Sequence, residues 1–160
     1  MAIGDMFLKV ETARQGVIKG ESNDEKHKTE IDVVSWTWGM TARTAIAGVG
    51  ATGKATLDEL RIVKKVDSAS TALMAGLRNN DEIKKATLTV RKAGGDPLEY
   101  LKITLEKARI THVGLDTQES EVVERVSFAF QQITVDYVPQ SDQGIGGGGM
   151  SFTAETNAQT

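Results

Sequence analysis

The chain has 160 residues, with 19 basic and 22 acidic side chains, a formal net charge of −3 and no cysteine. This length suits one domain with a buried core, and the scattered charges of both signs give no reason to expect nucleic acid binding. Without cysteine, the chain has no disulfides and no thiolate metal sites. No apolar run spans a bilayer, so membrane insertion is not predicted, and residues 1–11 lack the features of a cleaved signal peptide.

The first clear strand pattern is in residues 30–38 (EIDVVSWTW), after a weaker alternation in residues 5–11. The segment is rich in β-branched and aromatic residues, which favour strands. Successive side chains of a strand point to opposite faces. The apolar face carries Val34, Trp36 and Trp38, and the polar face carries Ser35 and Thr37. Because tryptophans bury a large area, we expect the apolar face to belong to the core.

A long glycine-containing loop is predicted over residues 39–55. Within it, the run GVGATGKAT places Gly48, Gly53 and Lys54 at the spacing of a phosphate-binding loop. That motif requires a hydroxyl residue after the lysine, where this chain has Ala55. It also requires a following helix, whereas residues 57–66 fit either a strand or a helix and the strand is favoured. Nucleotide binding is therefore a distant alternative, and loop flexibility explains the glycines better.

The only convincing helix pattern is short and lies between two predicted strands. Residues 69–78 carry an apolar stripe, and Asp67 or Ser68 can cap the start of the helix. The stripe consists of Leu73, Met74 and Leu77. Residues 82–92 then alternate between apolar and polar side chains, which predicts a strand. Its polar face carries Thr87, Thr89 and Arg91.

Two long strands follow, over residues 98–113 and 122–138, and the apolar side chains of both change parity along the strand. Because the side-chain period is two, an uncorrected slip of one residue would expose every later apolar side chain. A β-bulge near Glu106–Lys107 and another near Gln131–Gln132 would restore the phase. The alternative is a corner at which the two strands cross from one sheet to another.

No catalytic centre and no cofactor site are predicted from these residues. The two histidines, His27 and His112, lie far apart in the sequence. Asp24, Glu25 and His27 match no defined spacing of metal ligands, and a solvated turn is the simpler interpretation. No serine lies in a recognisable nucleophile motif. We therefore expect no enzyme activity and no bound cofactor or metal.

Several segments together resemble one protein family. They are KGES, KH and EIDVVSWTWGM within residues 19–40, RKAGG at 91–95, and VSFAFQQITVDYVPQ at 126–140. In this order and spacing, they are similar to Hcp, the haemolysin-coregulated protein of bacterial type VI secretion systems. The resemblance predicts an Hcp-like domain over residues 1–140. Residues 141–160 are polar and rich in glycine, which predicts a flexible tail or a segment that docks on a partner.

The resemblance implies a fold and an assembly. The fold is a compact β-barrel of two antiparallel sheets with one short flanking α-helix and an extended loop. The assembly is a homo-hexameric ring, and stacked rings form an inner tube with a VgrG-type spike at its tip and a contractile sheath around it. Such proteins leave the bacterial cytoplasm when the tube is fired, and some hold small effector proteins inside the ring. A ring that acts mainly as an effector chaperone is the alternative.

The resemblance also suggests which residues face the channel and which join the rings. In this family the small polar position opposite the tryptophans looks into the channel, so Thr37 is the expected lumen residue, with Ser35 behind it. The polar face of Thr87, Thr89 and Arg91 is a further candidate for this lining. The extended loop corresponds to the loop that contacts the adjacent ring. Its expected inter-ring residues are Thr41, Arg43, Ile46 and Val49.

Overall fold

A computed structural model describes residues 5–42, 55–92, 98–139 and 149–156, which form eleven β-strands and one α-helix. The strands are β1 Met6–Thr12, β2 Gly16–Ile18, β3 Ile31–Asp32, β4 Ser35–Thr37, β5 Met40–Thr41, β6 Thr56–Leu57, β7 Leu60–Lys65, β8 Ile83–Arg91, β9 Glu99–Gln118, β10 Glu121–Tyr137 and β11 Met150–Glu155. The helix, α1, is Ser70–Arg78. The predicted mainly β class with one short helix is confirmed.

Nine of these strands form one antiparallel sheet in the order β2-β1-β8-β9-β10-β7-β4, with β3 paired to β1 and β11 paired to β10. The remaining two, β5 and β6, form a separate two-stranded ribbon. The chain thus forms two antiparallel sheets, as predicted, and they are of very different size. Four of the eight strand pairings in the large sheet join strands that are consecutive in the chain, and the long β9–β10 hairpin is the largest of them.

One chain segment brings the two sides of the large sheet together. Its first part, β3, pairs with β1, and its last part, β4, pairs with β7. Between these strands, the Val33 amide donates to the carbonyl of Met6 on one side, and the next amide, of Val34, donates to Val63 on the other. Because one segment bridges strands from distant positions in the sheet, the sheet curls around its core in a barrel-like arrangement.

This change of partner also changes which side chains of the segment are buried. Val33 is buried and Val34 is exposed, so the prediction that Val34 shares the core face with the tryptophans is wrong. Trp36 and Trp38 are partly buried and pack against the core cluster, as expected. The alternation read from the sequence assumed one regular strand, whereas the segment joins two partners and its parity shifts between them.

The long strands β9 and β10 change phase together. Ile103 and Leu105 are buried before the change in β9, and Ala108 and Ile110 are buried after it. Across the change, Phe130 pairs with Ala108 and Gln132 with Glu106, so the register between the strands is unbroken. Each strand thus holds one extra residue at the same level, and in β9 this residue, Lys107, has a left-handed φ of 52°.

The predicted changes of phase are confirmed, but the predicted bulges at these positions are wrong. A β-bulge gives an extra residue to one strand only and shifts the register, whereas here both strands bend as a pair. The register shift between β9 and β10 lies elsewhere: Ser127 pairs with His112 and Phe128 with Ile110, which leaves Thr111 as the extra residue. The alternative, a corner at which the strands cross to another sheet, is not found either, because β9 and β10 stay paired within one sheet.

Helix α1 begins one residue later than predicted and packs with its small and apolar residues inward. Ser70, Leu73 and Gly76 are buried on its inner side, whereas Met74 is only partly covered. Asp67 shapes the helix entry, because its carboxylate accepts a hydrogen bond from the Ala69 amide at 2.9 Å. The helix therefore contacts the sheet through a narrow row of buried side chains.

Strand β11 lies in the segment that was expected to be a flexible tail. Residues 150–155 pair along the last six residues of β10, from Gln132↔Glu155 to Tyr137↔Met150. Phe152 and Ala154 alternate with polar residues, which is a strand pattern that the glycine-rich surroundings concealed. A flexible tail is therefore the wrong description of residues 149–156, and the rest of 141–160 lies outside the described residues.

A buried ionic cluster joins β7, β10 and the start of α1. Lys64 and Glu124 are both fully buried, pair across the two strands and approach to 2.5 Å between Nζ and Oε1. Lys64 Nζ also lies 2.8 Å from the Asp67 carboxylate, and the Ser70 hydroxyl donates to Glu124 at 2.7 Å. Because a buried charge without its partner is costly, this cluster fixes where the helix starts relative to the sheet.

Replacing Lys64 with alanine should lower the free energy of unfolding by about 3–5 kcal/mol, because Glu124 would stay buried without its cation. The matched control is Lys65→Ala, which removes an exposed ion pair to Glu121 at 3.4 Å and should cost less than about 1 kcal/mol. The measurement is urea denaturation of both variants. Equal decreases in the free energy of unfolding for the two variants would contradict the role of the buried Lys64–Glu124 pair. A higher free energy of unfolding in Lys64→Met/Glu124→Leu than in Lys64→Ala would support it, because the double variant leaves neither member of the pair charged and buried.

Candidate functional site

A concave polar surface lies on the side of the sheet that faces away from the core. It is formed by neighbouring strands β4, β7, β10 and β9 and encloses a depression of about 720 Å³. We call this surface the polar face. Its side chains are Ser35, Thr37, Arg61, His112, Arg125 and Ser127.

The alternation of four neighbouring strands builds the polar face. Thr37 pairs with Arg61, which pairs with Ser127, which in turn pairs with His112. Residues that pair directly across strands point to the same side of a sheet, so these side chains form one row. The intervening residues point to the core; Ile62 and Val126, for example, are buried there. The polar face therefore follows from the same alternation that turns the apolar side chains of these strands towards the core.

Thr37 and Ser35, the predicted lumen residues, both lie on the polar face and are exposed. The structure brings them next to Arg61 and Arg125, which the sequence analysis did not assign to any site. The available signal was parity: Arg125 occupies the polar parity of a strand whose apolar residues were recognised, whereas Arg61 lies in residues 57–66, which fitted either a strand or a helix. The partner order of the strands, which sequence alone did not give, was needed to place them beside Thr37.

The further candidates on β8 do not belong to this open surface. Thr89 is buried, with 3% of its area exposed, and the Arg91 guanidinium forms a two-pronged ion pair with Asp24. Arg91 also lies over the Phe7 ring, 4.9 Å from its centre. This end of the outward side is therefore covered by residues of the 20–30 segment.

The Arg91–Asp24 pair also changes the acidity of its members. The hydrogen bond from Arg91 holds the pKa of the Asp24 carboxyl below its ordinary value, and the same bond raises the pKa of Arg91. The nearby Asp32 behaves oppositely, because burial and then the neighbouring carboxylates, first Asp67, raise its pKa. The covering segment is thus attached by charge at Asp24, next to a second carboxyl, Asp32 on β3, that is less acidic than usual.

His27 is the second attachment point of the covering segment. Its ring stacks on Phe7 with centres 4.5 Å apart, and its two nitrogens lie 2.9 Å from Glu30 and 2.6 Å from Glu99. Both ring nitrogens are therefore engaged by carboxylates of this chain. The solvated turn expected around His27 is wrong for this residue, because it is buried and links three parts of the fold.

The base of the extended loop is the ribbon of β5 and β6. Trp38 donates its indole N–H to the Asp58 carbonyl at 2.8 Å, and the Asp58 amide donates to Gly39 at 3.0 Å. Thr41, the first predicted stacking residue, is exposed on β5. The other three, Arg43, Ile46 and Val49, lie outside the described residues.

The nucleotide-binding alternative finds no support in the described part of the loop region. A phosphate-binding loop leads directly into a helix whose N-terminus faces the phosphates. After Lys54 the chain instead forms β6 and then β7. Glycine spacing alone therefore does not indicate a phosphate site here.

Strand β11 exposes a group of large apolar side chains at the edge of the sheet. Phe152 is 44% exposed and Met150 is 63% exposed, and the paired Tyr137 is 42% exposed. Among the described residues, β11 pairs only with β10, so its other edge offers free backbone donors and acceptors. Apolar side chains beside an unpaired strand edge are typical of a surface that another chain covers.

These features define a class of protein: a barrel-like β-protein with one open polar face and an apolar strand edge. Comparisons with known proteins give the family. Residues 7–137 match the family model described as type VI secretion system effector, Hcp. The protein hcp1 of Pseudomonas aeruginosa is 38% identical over 150 residues, which cover 91% of this chain and 90% of that one. The chain belongs to the Hcp family of type VI secretion proteins.

Solved structures agree with this family. A type VI secretion system effector from Yersinia pestis superposes with a TM-score of 0.76 at 31% identity, covering 95% of this chain and all of that one. Hcp1 from Salmonella typhimurium gives a TM-score of 0.71 at 28% identity over 94% of each chain. Within the described ranges, α1 is too short to cross a membrane.

Proposed function

We propose that this protein is a structural subunit of the inner tube of a type VI secretion system. Six copies form a ring, the rings stack, and the tube is exported when the system fires. The observation that carries the proposal is a curled sheet with an uncovered polar face on one side and an apolar edge strand at its border. The subunit acts through assembly, with no catalytic centre or cofactor.

The ring contact is proposed to use the edge strand β11. A closed ring requires a heterologous interface, in which one patch of a subunit meets a different patch of its neighbour. The exposed side chains of Phe152 and Met150, together with the free edge of β11, supply the apolar area and the backbone groups for such a patch. In this arrangement the segment after residue 140 belongs to the assembling domain.

The channel wall is proposed to be the polar face. Side chains that line a water-filled channel remain solvated in the assembled ring, which suits hydroxyl and charged groups. Thr37 is the proposed lumen residue, and Ser35 lies beside it. Small effector proteins carried inside the ring would contact this wall.

The stacking of rings is proposed to use the extended loop. Thr41 is exposed at the end of the β5–β6 ribbon, and Arg43, Ile46 and Val49 follow it in the chain. The spike protein of the VgrG type and the contractile sheath are the proposed further partners at the tip and outside of the tube. Export from the bacterial cytoplasm without a cleaved signal peptide follows from this route.

A role mainly as an effector chaperone is the second candidate, and the open concavity beside Thr37 favours it. Both roles share the ring. The two roles differ in what happens to an effector when rings form but tubes do not. A ring that acts mainly as a chaperone would still stabilise the effector. Measuring effector levels in cells that contain ring-forming but non-stacking variants distinguishes them.

Ring assembly is expected to depend on Phe152. The purified protein should have about six times the 17.2 kDa chain mass by light scattering and show annular particles by negative-stain electron microscopy. Phe152→Asp should shift it to monomers, because burying a phenylalanine contributes about 1.5–3 kcal/mol per contact and a buried aspartate costs more. Thr153→Ala, on the adjacent residue of β11, should leave the rings intact. A wild-type protein that stays monomeric would contradict the proposal.

Thr37→Trp is expected to reduce effector retention without changing the ring. A tryptophan at this exposed position would fill part of the concavity but would not disturb the core behind it. The measurement is the amount of a small effector, co-expressed from the same secretion system, that co-purifies with the rings. Thr117→Trp, on an exposed residue outside the polar face, is the control. Unchanged retention would remove Thr37 from the proposed lumen site.

Deletion of residues 43–52 is expected to leave rings but abolish tubes. Each apolar side chain buried between stacked rings would contribute about 1.5–3 kcal/mol, and six copies act together. Electron microscopy reports tube length, and light scattering reports ring mass. Tubes of unchanged length would contradict the stacking role of Ile46 and Val49.

A further inference from the structure

We propose that the polar face recognises acidic segments of cargo proteins through a pair of guanidinium groups, Arg61 and Arg125. This inference rests on the proposed carrier function and adds the chemistry of the partner. The carboxylates of aspartate or glutamate side chains would bind between the two arginines, at the bottom of the concavity.

The two arginines are diagonal neighbours on adjacent strands. Arg61 on β7 pairs with Ser127 on β10, and Arg125, two residues earlier on β10, pairs with Val63. Diagonal neighbours on one face of a sheet are about 7–8 Å apart and within reach of the same long side chain. A carboxylate placed between them would receive hydrogen bonds from two planar, permanently charged groups.

These guanidinium groups are not neutralised within the described residues. Arg61 makes no ion pair among them, and Arg125 has only a 3.8 Å contact with Asp116, where both side chains are largely exposed. Exposed pairs of this length contribute little. Arg91 and Arg109 differ, because Arg91 binds Asp24 and Arg109 donates to the Asn80 carbonyl at 2.7 Å. Arg61 and Arg125 therefore remain available to a partner.

The carboxylate that also lines the concavity does not cancel this charge directly. Glu59 accepts a hydrogen bond from the Thr111 hydroxyl at 2.7 Å, and its pairing is therefore with a hydroxyl rather than with a guanidinium. Ser35, Thr37, Ser127 and His112 surround the arginines with small or polar groups. They leave room for an extended segment and supply hydrogen-bonding groups to its backbone.

The charge of the whole chain gives this local arrangement its selectivity. The formal net charge is −3, so an acidic partner is repelled by the molecule in general. A concavity with two free cations is the place where such a partner is attracted. Repulsion elsewhere and attraction here would direct an acidic segment to the polar face.

The test uses the full-length protein and fluorescent ten-residue peptides that are rich in glutamate, glutamine or lysine. Fluorescence anisotropy at low and high salt should show binding of the glutamate peptide that weakens with salt, because exposed charges are screened. Arg61→Gln/Arg125→Gln should weaken that binding roughly tenfold or more, the loss expected for charged hydrogen bonds. Lys65→Gln, which removes an exposed cation outside the concavity, should change it less than about twofold.

A charge-reversed variant keeps the inference testable if the glutamine variant is poorly folded. Arg61→Glu/Arg125→Glu should lose the glutamate peptide and gain the lysine peptide, which an unfolded or blocked surface would not do. Binding of the glutamate peptide that does not depend on either arginine would overturn the inference. Preferential binding of a single-stranded oligonucleotide, dependent on both arginines, would also overturn it and assign the surface to nucleic acid.

Light scattering of the same samples separates this inference from the proposed tube function. Rings that bind no glutamate peptide would overturn the acidic-cargo inference and leave the tube function standing. Monomers that bind the glutamate peptide through both arginines would support the inference, since the polar face lies within one chain, while the tube function would fail.

Discussion

The paired bend of β9 and β10 is the constraint on which the rest of this structure depends. The two strands form the longest pairing in the sheet, and every other strand of that sheet attaches to them directly or through one or two neighbours. Because both strands take up one extra residue at the same level, at Lys107 and Gln131, the apolar side chains on both sides of the bend, such as Leu105 and Ile110, stay inward. A bend in one strand alone would have turned half of its core residues to solvent.

The buried apolar side chains face inward, and the two ends of the outward side of the sheet differ in how they are covered. At the β1–β8 end, His27 and Arg91 hold the 20–30 segment over Phe7 and Thr89 with carboxylates and ring stacking. At the β4–β7–β10 end, nothing among the described residues covers Thr37 and its neighbours. The open end is where a functional surface can exist, because its groups remain accessible.

Charge serves two separate purposes in this subunit. Inside the fold, Lys64 and Glu124 are fully buried and satisfied largely by each other, and they set the position of α1. On the polar face, Arg61 makes no ion pair among the described residues, and Arg125 has only an exposed 3.8 Å contact with Asp116. The buried pair determines where α1 lies on the sheet. The exposed cations are proposed to determine which partner binds. The apolar side chains of β11 add a third kind of surface, suited to another copy of the chain.

The sequence by itself determined the long strands, the helix and the family, because these depend on local periodicity and on residues in fixed order. It therefore placed Thr37 and Ser35 outward correctly. Only the tertiary structure decided which strands are neighbours, and so brought Arg61 and Arg125 to Thr37, covered Arg91, and exposed Val34. It also revealed β11 within a glycine-rich segment, since a six-residue strand is stable only when a partner such as β10 completes its hydrogen bonds.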